Sequence, residues 1–453
     1  MNLLPLLAAL VPWAGTPLAA FTRIYVACSI LSLEMQIVTW LDVGSLRTLV
    51  PVNLVIAAAS IAWHLKRRAP AWTWVGPVTR LAPWPAVAAL AVLVAGLNLS
   101  LPVEAADPYQ LDRVAQIERL GTLGYDLAAN PKVNIAGAFY ELMVADLRQL
   151  SVVGPGMIHL HGLIGLSLYL ITLAAIAPWF PPPASVWGRC LLLVVPVVFH
   201  QLVILKNDLF LAAPALVALA WLVSSADDAP WSDVWWAAWL VGMVVGSKQV
   251  HAPLALVLVG GLWMLRRGGR MRATAGLALG GLVGGACAGL PLTLLQNAAF
   301  YGDALATGPV SDMGNVNTTL ADALWGAVRF AMSLVDLGLG TPQLWPGRGG
   351  WGGTFGLPFL WAVAVLVLRL GRDADARRAL ACAGLHMAAF ALVFPDADVA
   401  QRLVLGPGLL VIVAAVAVAA RGTARWTHAT LVVVVLASAA QLLRSAVLYN
   451  LRP

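Results

Sequence analysis

The sharpest grouping of reactive side chains lies in residues 101–126. The chain reads Leu101-Pro102-Val103-Glu104-Ala105-Ala106-Asp107-Pro108-Tyr109-Gln110-Leu111-Asp112-Arg113-Val114 and closes on Gly121, Gly124, Tyr125 and Asp126. Asp107 stands directly before a proline able to open a helix. Leu111, Val114, Ile117 and Leu120 then recur at helical spacing, with Asp112, Arg113, Gln116 and Arg119 on other faces. The pattern predicts an amphipathic helix along a membrane surface, with a carboxylate fixed at its start. Such a carboxylate is either a general base for a hydroxyl held at the interface or an N-cap facing water. Gly121 and Gly124 let the chain turn away.

The elements that must hold this loop are membrane helices. The 453 residues are 60% hydrophobic and 11% charged, with mean hydropathy +0.84. A soluble domain carries about 25% charged residues, so a water-soluble enzyme is excluded. Nineteen tryptophans fit a protein whose aromatic rings collect at bilayer interfaces. Cys28, Cys190, Cys287 and Cys382 all lie in apolar runs without metal-type spacing, and read as small buried hydrophobes. Apolar stretches long enough to span occur near 20–42, 49–65, 83–103, 157–177, 187–205, 207–223, 233–247, 250–265, 273–295, 355–370, 378–394, 402–420 and 427–448. Residues 3–19 offer an extra or re-entrant helix, and Pro5, Pro12 and Pro17 with no basic residue before Arg23 speak against a cleaved signal peptide. Strand signals are lacking. The expected fold is all-α: one polytopic transmembrane bundle over 1–453, of about 11–13 spans.

Charge fixes the sidedness. The excess of 28 Lys and Arg over 21 Asp and Glu clusters at Lys66-Arg67-Arg68, Arg266-Arg267 with Arg270 and Arg272, Arg369 to Arg378, and Arg421 with Arg425. These mark cytoplasmic ends. The long loops 104–156 and 296–354 then fall on the outer face, as do Lys206-Asn207-Asp208 and Lys248. Glu104, Asp107, Asp112, Glu118, Asp126, Glu141, Asp146 and Asp208 gather there too. That asymmetry points to chemistry on the outer side, or to acids left outside by positive-inside sorting. The second loop carries an amphipathic segment, Leu320–Leu337, and a Gly/Pro/Trp-rich stretch, Thr341–Gly353, suited to a lid. Trp345 and Trp351 are placed either to stack on sugar rings or to anchor the interface.

The first loop resembles that of the bacterial GT-C-type membrane glycosyltransferases, relatives of the protein O-mannosyltransferases and of the lipid A aminoarabinose transferase. The family wording is close to Asp-Ser-Leu-Thr-Tyr-His-Leu-Pro-Arg-Val, a tryptophan-containing helix and Gly-Ser. Here the acid stands two residues nearer Arg113-Val114 and the histidine is missing. Three further segments follow in family order: Lys206-Asn207-Asp208-Leu209-Phe210, then Gln296-Asn297 with Tyr301-Gly302-Asp303, then Gly352-Gly353-Thr354-Phe355-Gly356-Leu357-Pro358 with Arg402 to Pro407. Together they cover most of 100–410.

The resemblance implies transfer of a sugar from a polyprenyl-phosphate donor to a glycan, lipid or protein acceptor. The active site would face the periplasm or exterior of an inner (plasma) membrane protein. It implies Asp107 as catalytic base with Asp112 as the alternative, and Asp208 as a second acid or a structural ion-pair partner. Lys206, Lys248 and Arg402 sit at outer span ends, where they meet a departing lipid phosphate or simply snorkel. Arg113 joins them as a donor contact. Tyr109, Asn207, Asn297, Trp345 and Trp351 are the matching sugar and acceptor contacts.

Other features are weaker. His159 and His161 are two apart, not the three or four a helical metal pair wants, so a divalent ion lacks support. Glu34 and Gln36 inside the first span suit helix–helix hydrogen bonding, and Gly280-Gly281 with Gly284-Gly285 suit close helix packing. Two rivals remain open. A secondary transporter or lipid flippase would show charge at mid-membrane depth and paired broken helices. An O-antigen ligase or polymerase would surround a diphosphate with outer arginines, and Arg113, Arg119, Arg148, Arg329, Arg348 and Arg402 are available.

Overall fold

The computed structural model of the chain describes residues 2–81, 83–100, 108–126, 134, 138–149, 160–183, 185–203, 207–225, 229–265, 270–306, 319–334, 355–393, 401–421 and 425–450. Every regular element among them is helical. The N-terminal part holds α1 (Leu3–Leu10), α2 (Pro17–Leu41), α3 (Val50–Lys66), α4 (Val75–Leu81) and α5 (Trp84–Ser100). The first long loop contributes α6 (Pro108–Leu120) and α7 (Phe139–Arg148). The centre comprises α8 (His161–Ile176), α9 (Val186–Leu193), α10 (Pro196–Val203), α11 (Asp208–Ser225), α12 (Trp231–Ser247), α13 (Ala252–Leu265), α14 (Arg270–Cys287) and α15 (Leu290–Tyr301). Then come α16 (Leu320–Leu334), α17 (Gly356–Arg369), α18 (Ala374–Val393), α19 (Leu405–Ala420) and α20 (Arg425–Asn450).

The chain is more broken than the run of about 11–13 spans expected from hydropathy. Three described helices are long and apolar enough to cross a membrane: α2, α18 and Trp426–Arg444 of α20. Three bent pairs raise this to six if each is one span: α4 with α5 at 90°, α9 with α10 at 48°, and α14 with α15 at 66°. The bends follow local chemistry. Pro196 opens α10, and Gly289 adopts φ +91° just before Pro291 at the start of α15. A proline forfeits its amide hydrogen bond, and a left-handed glycine reverses the helix path. Six other apolar segments among the described residues, among them α8, Asp208–Ser224 of α11 and α19, are 10–17 residues long.

The core is built around α11 and α19. Both are apolar on all sides, and nearly every side chain of each is buried, as expected of a central helix. Glycines set the closest contact, between α12 and α14. A Cβ on Gly242 would lie 2.3 Å from the Gly281 carbonyl oxygen, and one on Gly284 would lie 2.1 Å from that of Trp239. This is the close packing that Gly280-Gly281 and Gly284-Gly285 suggested.

Two contacts fix the loop helices. Helix α6 ends at Gly121 (φ +71°), whose amide donates to the Ile117 carbonyl at 2.8 Å and whose own carbonyl accepts from Leu46 N at 2.8 Å. On α7, the fully buried Asp146 accepts 2.8 Å bonds from Asn2 N, Asn2 Nδ2 and Leu3 N, capping α1. Asn53 Nδ2 in turn donates to Asn2 Oδ1 (3.2 Å) and Glu34 Oε2 (2.9 Å), and Gln36 Nε2 donates to the Ala286 carbonyl (2.8 Å). Glu34 and Gln36 thus make the interhelical bonds their types suggested.

Helix α6 departs from expectation in its buried face. Val114 and Ile117 are buried as predicted, but so are Arg113 and Gln116, while Leu120 is exposed. The reason is that Gly121 turns the chain back, so the carbonyls of Leu123 and Gly124 meet the arginine. In the second loop, α16 matches most of the amphipathic segment read over 320–337.

Because Gly284 faces backbone while a Cβ on Gly281 would meet open space, the two should respond oppositely. Gly284→Leu is expected to cost about 1–3 kcal/mol through forced helix separation, and Gly281→Ala to be neutral or mildly stabilising. Thermal unfolding midpoints of the two variants in detergent check this.

Candidate functional site

Several of the expected site residues lie outside the described residues: Asp107, Lys206, Trp345 and Trp351 entirely, and the side chains of Tyr109 and Arg402. Those described separate into two places.

The first joins three elements. Asp208 opens α11 with its side chain 1% exposed, and it meets Lys248, the residue that ends α12, at 2.8 Å. Lys248 leaves the helix in an extended conformation (φ −145°, ψ 109°), which carries its side chain to the head of α11. Beside Asp208, the buried Asn207 donates from Nδ2 to Glu141 Oε1 at 3.2 Å. Glu141 belongs to α7 and is 5% exposed, and its Oε2 has no hydrogen-bond partner among the described residues. His251, in the 3₁₀ turn after Lys248, is buried next to this group, with His386 of α18 within electrostatic reach. Asn207, Asp208 and Lys248 are therefore brought together as a unit. Glu141 completes it, although sequence reasoning gave it no role beyond its share in the outer acids. The available signal was an acid set in the apolar run Phe139-Tyr140-Glu141-Leu142-Met143.

Burial shapes the ionisation here. It pushes the Glu141 carboxyl up to about 7, against the lowering influence of its own backbone amide, then of Lys248, Arg113 and the Asn207 amide. The Tyr140 hydroxyl is raised by burial and by the negative charges of Glu141 and Asp208.

The second place is the seat of the first loop on α15. Arg113 donates to Gln116 Oε1 (2.8 Å) and to the carbonyls of Leu123 (3.0 Å) and Gly124 (3.1 Å), and burial lowers it to about 10. Asn297 accepts from the Tyr125 hydroxyl at 2.7 Å and donates to the Ala304 carbonyl at 3.1 Å. Arg119 pairs with Asp126, and Asp112, two turns earlier on the same side of α6, is exposed. Arg113 and Asn297 thus brace the loop, and Arg113 is also within electrostatic reach of Glu141.

An apolar cavity of about 310 Å³ lies between α1, α2, α7, α8, α10 and α11, with Tyr140, the neighbour of Glu141 in the chain, on its wall. Leu4, Ile164 and Ser167 on its wall are exposed, so it opens on the side of the bundle. Tyr140, Arg148, His161 and Gln201 supply its polar atoms among leucines, isoleucines and Phe210. Arg148 Nε also meets Glu118 at 3.2 Å. Among the described residues no group of three or more His, Cys, Asp or Glu side chains is arranged to hold a metal ion. Comparison with protein-family models, with characterised proteins and with solved structures gives no match.

Two outcomes follow from this geometry. Lys248→Met leaves the Asp208 carboxylate buried without its cation and should cost about 3–5 kcal/mol; the double variant with Asp208→Asn should recover part of that loss in detergent unfolding. Glu141 makes stability fall with pH. Below about 4.3 both folded and unfolded chains keep the proton, and between there and 7 the unfolded chain gives it up first. Glu141→Gln should therefore raise the unfolding midpoint at pH 8 and change it little at pH 4.

Proposed function

We propose that this chain is a polytopic membrane glycosyltransferase that moves a sugar from a polyprenyl-phosphate donor to an acceptor hydroxyl on the periplasmic or exterior face of the inner membrane. The observation that carries this reading is the apolar cavity that opens on the side of the bundle and is lined by α7 and α11, the helices that also carry the buried Glu141 and the Lys248-paired Asp208. A soluble metabolite has no need of a lateral opening lined by leucines. An isoprenoid tail does, and Arg148 and His161 stand on the wall where a phosphate headgroup would require positive charge.

The reaction is a direct displacement with inversion. The acceptor oxygen bonds to the anomeric carbon as the bond from that carbon to the phosphate oxygen breaks, and the electron pair leaves with the lipid phosphate. Asp107, which precedes Pro108 in the sequence, is the proposed base for the acceptor proton, with Asp112 as the alternative. Lys206, Lys248 and Arg402 are the proposed cations for the departing phosphate. Asp208 is the counter-charge that keeps Lys248 in place.

Purified protein, given a panel of radiolabelled polyprenyl-phosphate sugars, should transfer label to an acceptor, and Asp107→Asn should lower kcat at least a hundredfold. Val144→Trp, which fills the cavity, should raise KM for long-chain donors more than for short-chain ones. Full turnover by Asp107→Asn alongside loss in Asp112→Asn would move the base. Absence of transfer with every donor, together with substrate uptake into liposomes, would replace this reading by the transporter.

A further inference from the structure

Three carboxylates are buried on α7 and α11, the helices whose Tyr140, Leu147 and Leu209 line the cavity, and their surroundings differ. Asp146 accepts three hydrogen bonds, from Asn2 N, Asn2 Nδ2 and Leu3 N. Asp208 has the Lys248 ammonium at 2.8 Å and sits at a helix N-terminus, which also favours negative charge. Among the described residues Glu141 accepts one side-chain hydrogen bond, from Asn207 at 3.2 Å on Oε1, beside the contribution of its own backbone amide, and its Oε2 is buried without a partner. A carboxylate short of donors holds its proton more readily than one that is well solvated by them. Oε2 is the atom where that proton would reside.

The charged and titratable groups facing Glu141 come from several elements. Arg113 faces it from α6, Lys248 from the end of α12 and Asn207 from the head of α11. Tyr140 precedes it on α7 and also senses Asp208. Asp146 and Arg148, further along α7, are taken by the α1 N-terminus and by Glu118. Cys28 on α2 senses Asp146.

We propose that Glu141 is the proton store of this site, taking up during turnover the proton that leaves the acceptor, with Lys248 as the cation it shares with Asp208. The inference deepens the sugar-transfer reading and rests on it for the source of the proton. Charge balance gives the reason. A donor phosphodiester carries one negative charge and the lipid phosphate monoester it leaves carries up to two, while the acceptor O–H gives up one proton. If Glu141 enters ionised and leaves protonated, the net charge of the buried site is unchanged across the reaction. In surroundings of low dielectric an uncompensated extra charge is costly. Asp107 takes the proton at the acceptor, and Glu141 holds it once the phosphate has departed. Water then removes it as product leaves.

Infrared difference spectra of the full-length protein in lipid nanodiscs, recorded from pH 5 to 9, read this directly. The carbonyl band of a protonated, buried carboxyl should titrate near neutrality in the wild type and vanish in Glu141→Gln. Asp208→Asn, which frees Lys248 for Glu141, should move the midpoint down by about one unit or more, and Lys248→Met should move it up. Where sugar transfer is measurable, the pH–rate profile should lose its limb near neutrality in Glu141→Gln, with kcat down about tenfold at pH 7, and Glu141→Asp should restore part of it. Absence of the neutral-range band, its persistence in Glu141→Gln, or a midpoint indifferent to both partner variants would overturn the assignment. So would an unchanged pH–rate profile in Glu141→Gln. Correct band behaviour with no transfer from any donor would sustain Glu141 as an exchanging carboxyl, and would refute the sugar-transfer reading instead.

Discussion

A carboxylate placed at the head of a helix that is apolar on every side has to be neutralised where it stands. At Asp208 the neutralising group is Lys248, and much of the surrounding architecture serves that meeting. Helix α12 must stop at Ser247, and Lys248 must leave in an extended conformation, for the ammonium to reach the neighbouring helix. The glycine contact between α12 and α14 holds α12 close enough to its neighbours for that end point to be fixed. From Asp208 a polar path continues outward through a body that is otherwise hydrocarbon. Asn207 binds Glu141 on α7, Asp146 of the same helix caps α1, and Asn2 and Asn53 pass the connection to Glu34 on α2. Each bond on this path satisfies a group whose isolation in apolar surroundings would cost several kcal/mol.

Helix α7 is the element on which site and scaffold meet. Tyr140, Met143, Val144 and Leu147 line the lateral cavity, while Glu141 and Asp146 turn inward to the polar path. Ten residues thus separate a surface suited to a lipid chain from one suited to charge. The division goes with firm ties along α7: near its start Glu141 holds Asn207, and near its end Asp146 holds α1 and Arg148 meets Glu118 of α6. A change in one surface is transmitted to the other through the same short, anchored helix.

The apolar helical character was legible in composition alone, and so was the start of α6 at Pro108 and its end at Gly121, because proline and a left-handed glycine mark helix limits locally. The glycine packing of α14 and the interhelical roles of Glu34 and Gln36 were readable for a similar reason: small or polar residues in an apolar helix have few uses. The continuity of the spans was not. Hydropathy averages over a window and passes across Gly289-Leu290-Pro291 and Val195-Pro196, where the backbone bends by 66° and 48°. Nor was the burial of Arg113 and Gln116, since the carbonyls that receive them belong to a turn whose path a helical wheel does not contain. The Lys206-Asn207-Asp208 stretch drew attention by its residue types, but Glu141 did not. Its significance lies in a neighbour 66 positions away, and nothing local in the chain encodes that approach.

What separates the three buried carboxylates is therefore not residue type or depth but the number and charge of donors that reach them. Asp146, with three hydrogen bonds to one helix N-terminus, is suited to holding structure together. Asp208 is committed to Lys248, and any anion that binds at Lys248 must first compete with it. Among the described residues Glu141 has one side-chain amide donor beside its own backbone amide and a buried Oε2 with no partner, and burial pushes it up to about 7. A cation shared between a committed acid and an uncommitted one makes their charges interdependent: whatever draws Lys248 away from Glu141 favours the proton there, and whatever releases Lys248 from Asp208 expels it. Binding of an anion and uptake of a proton are then two sides of one electrostatic balance, set by the distance a lysine spans at the end of α12.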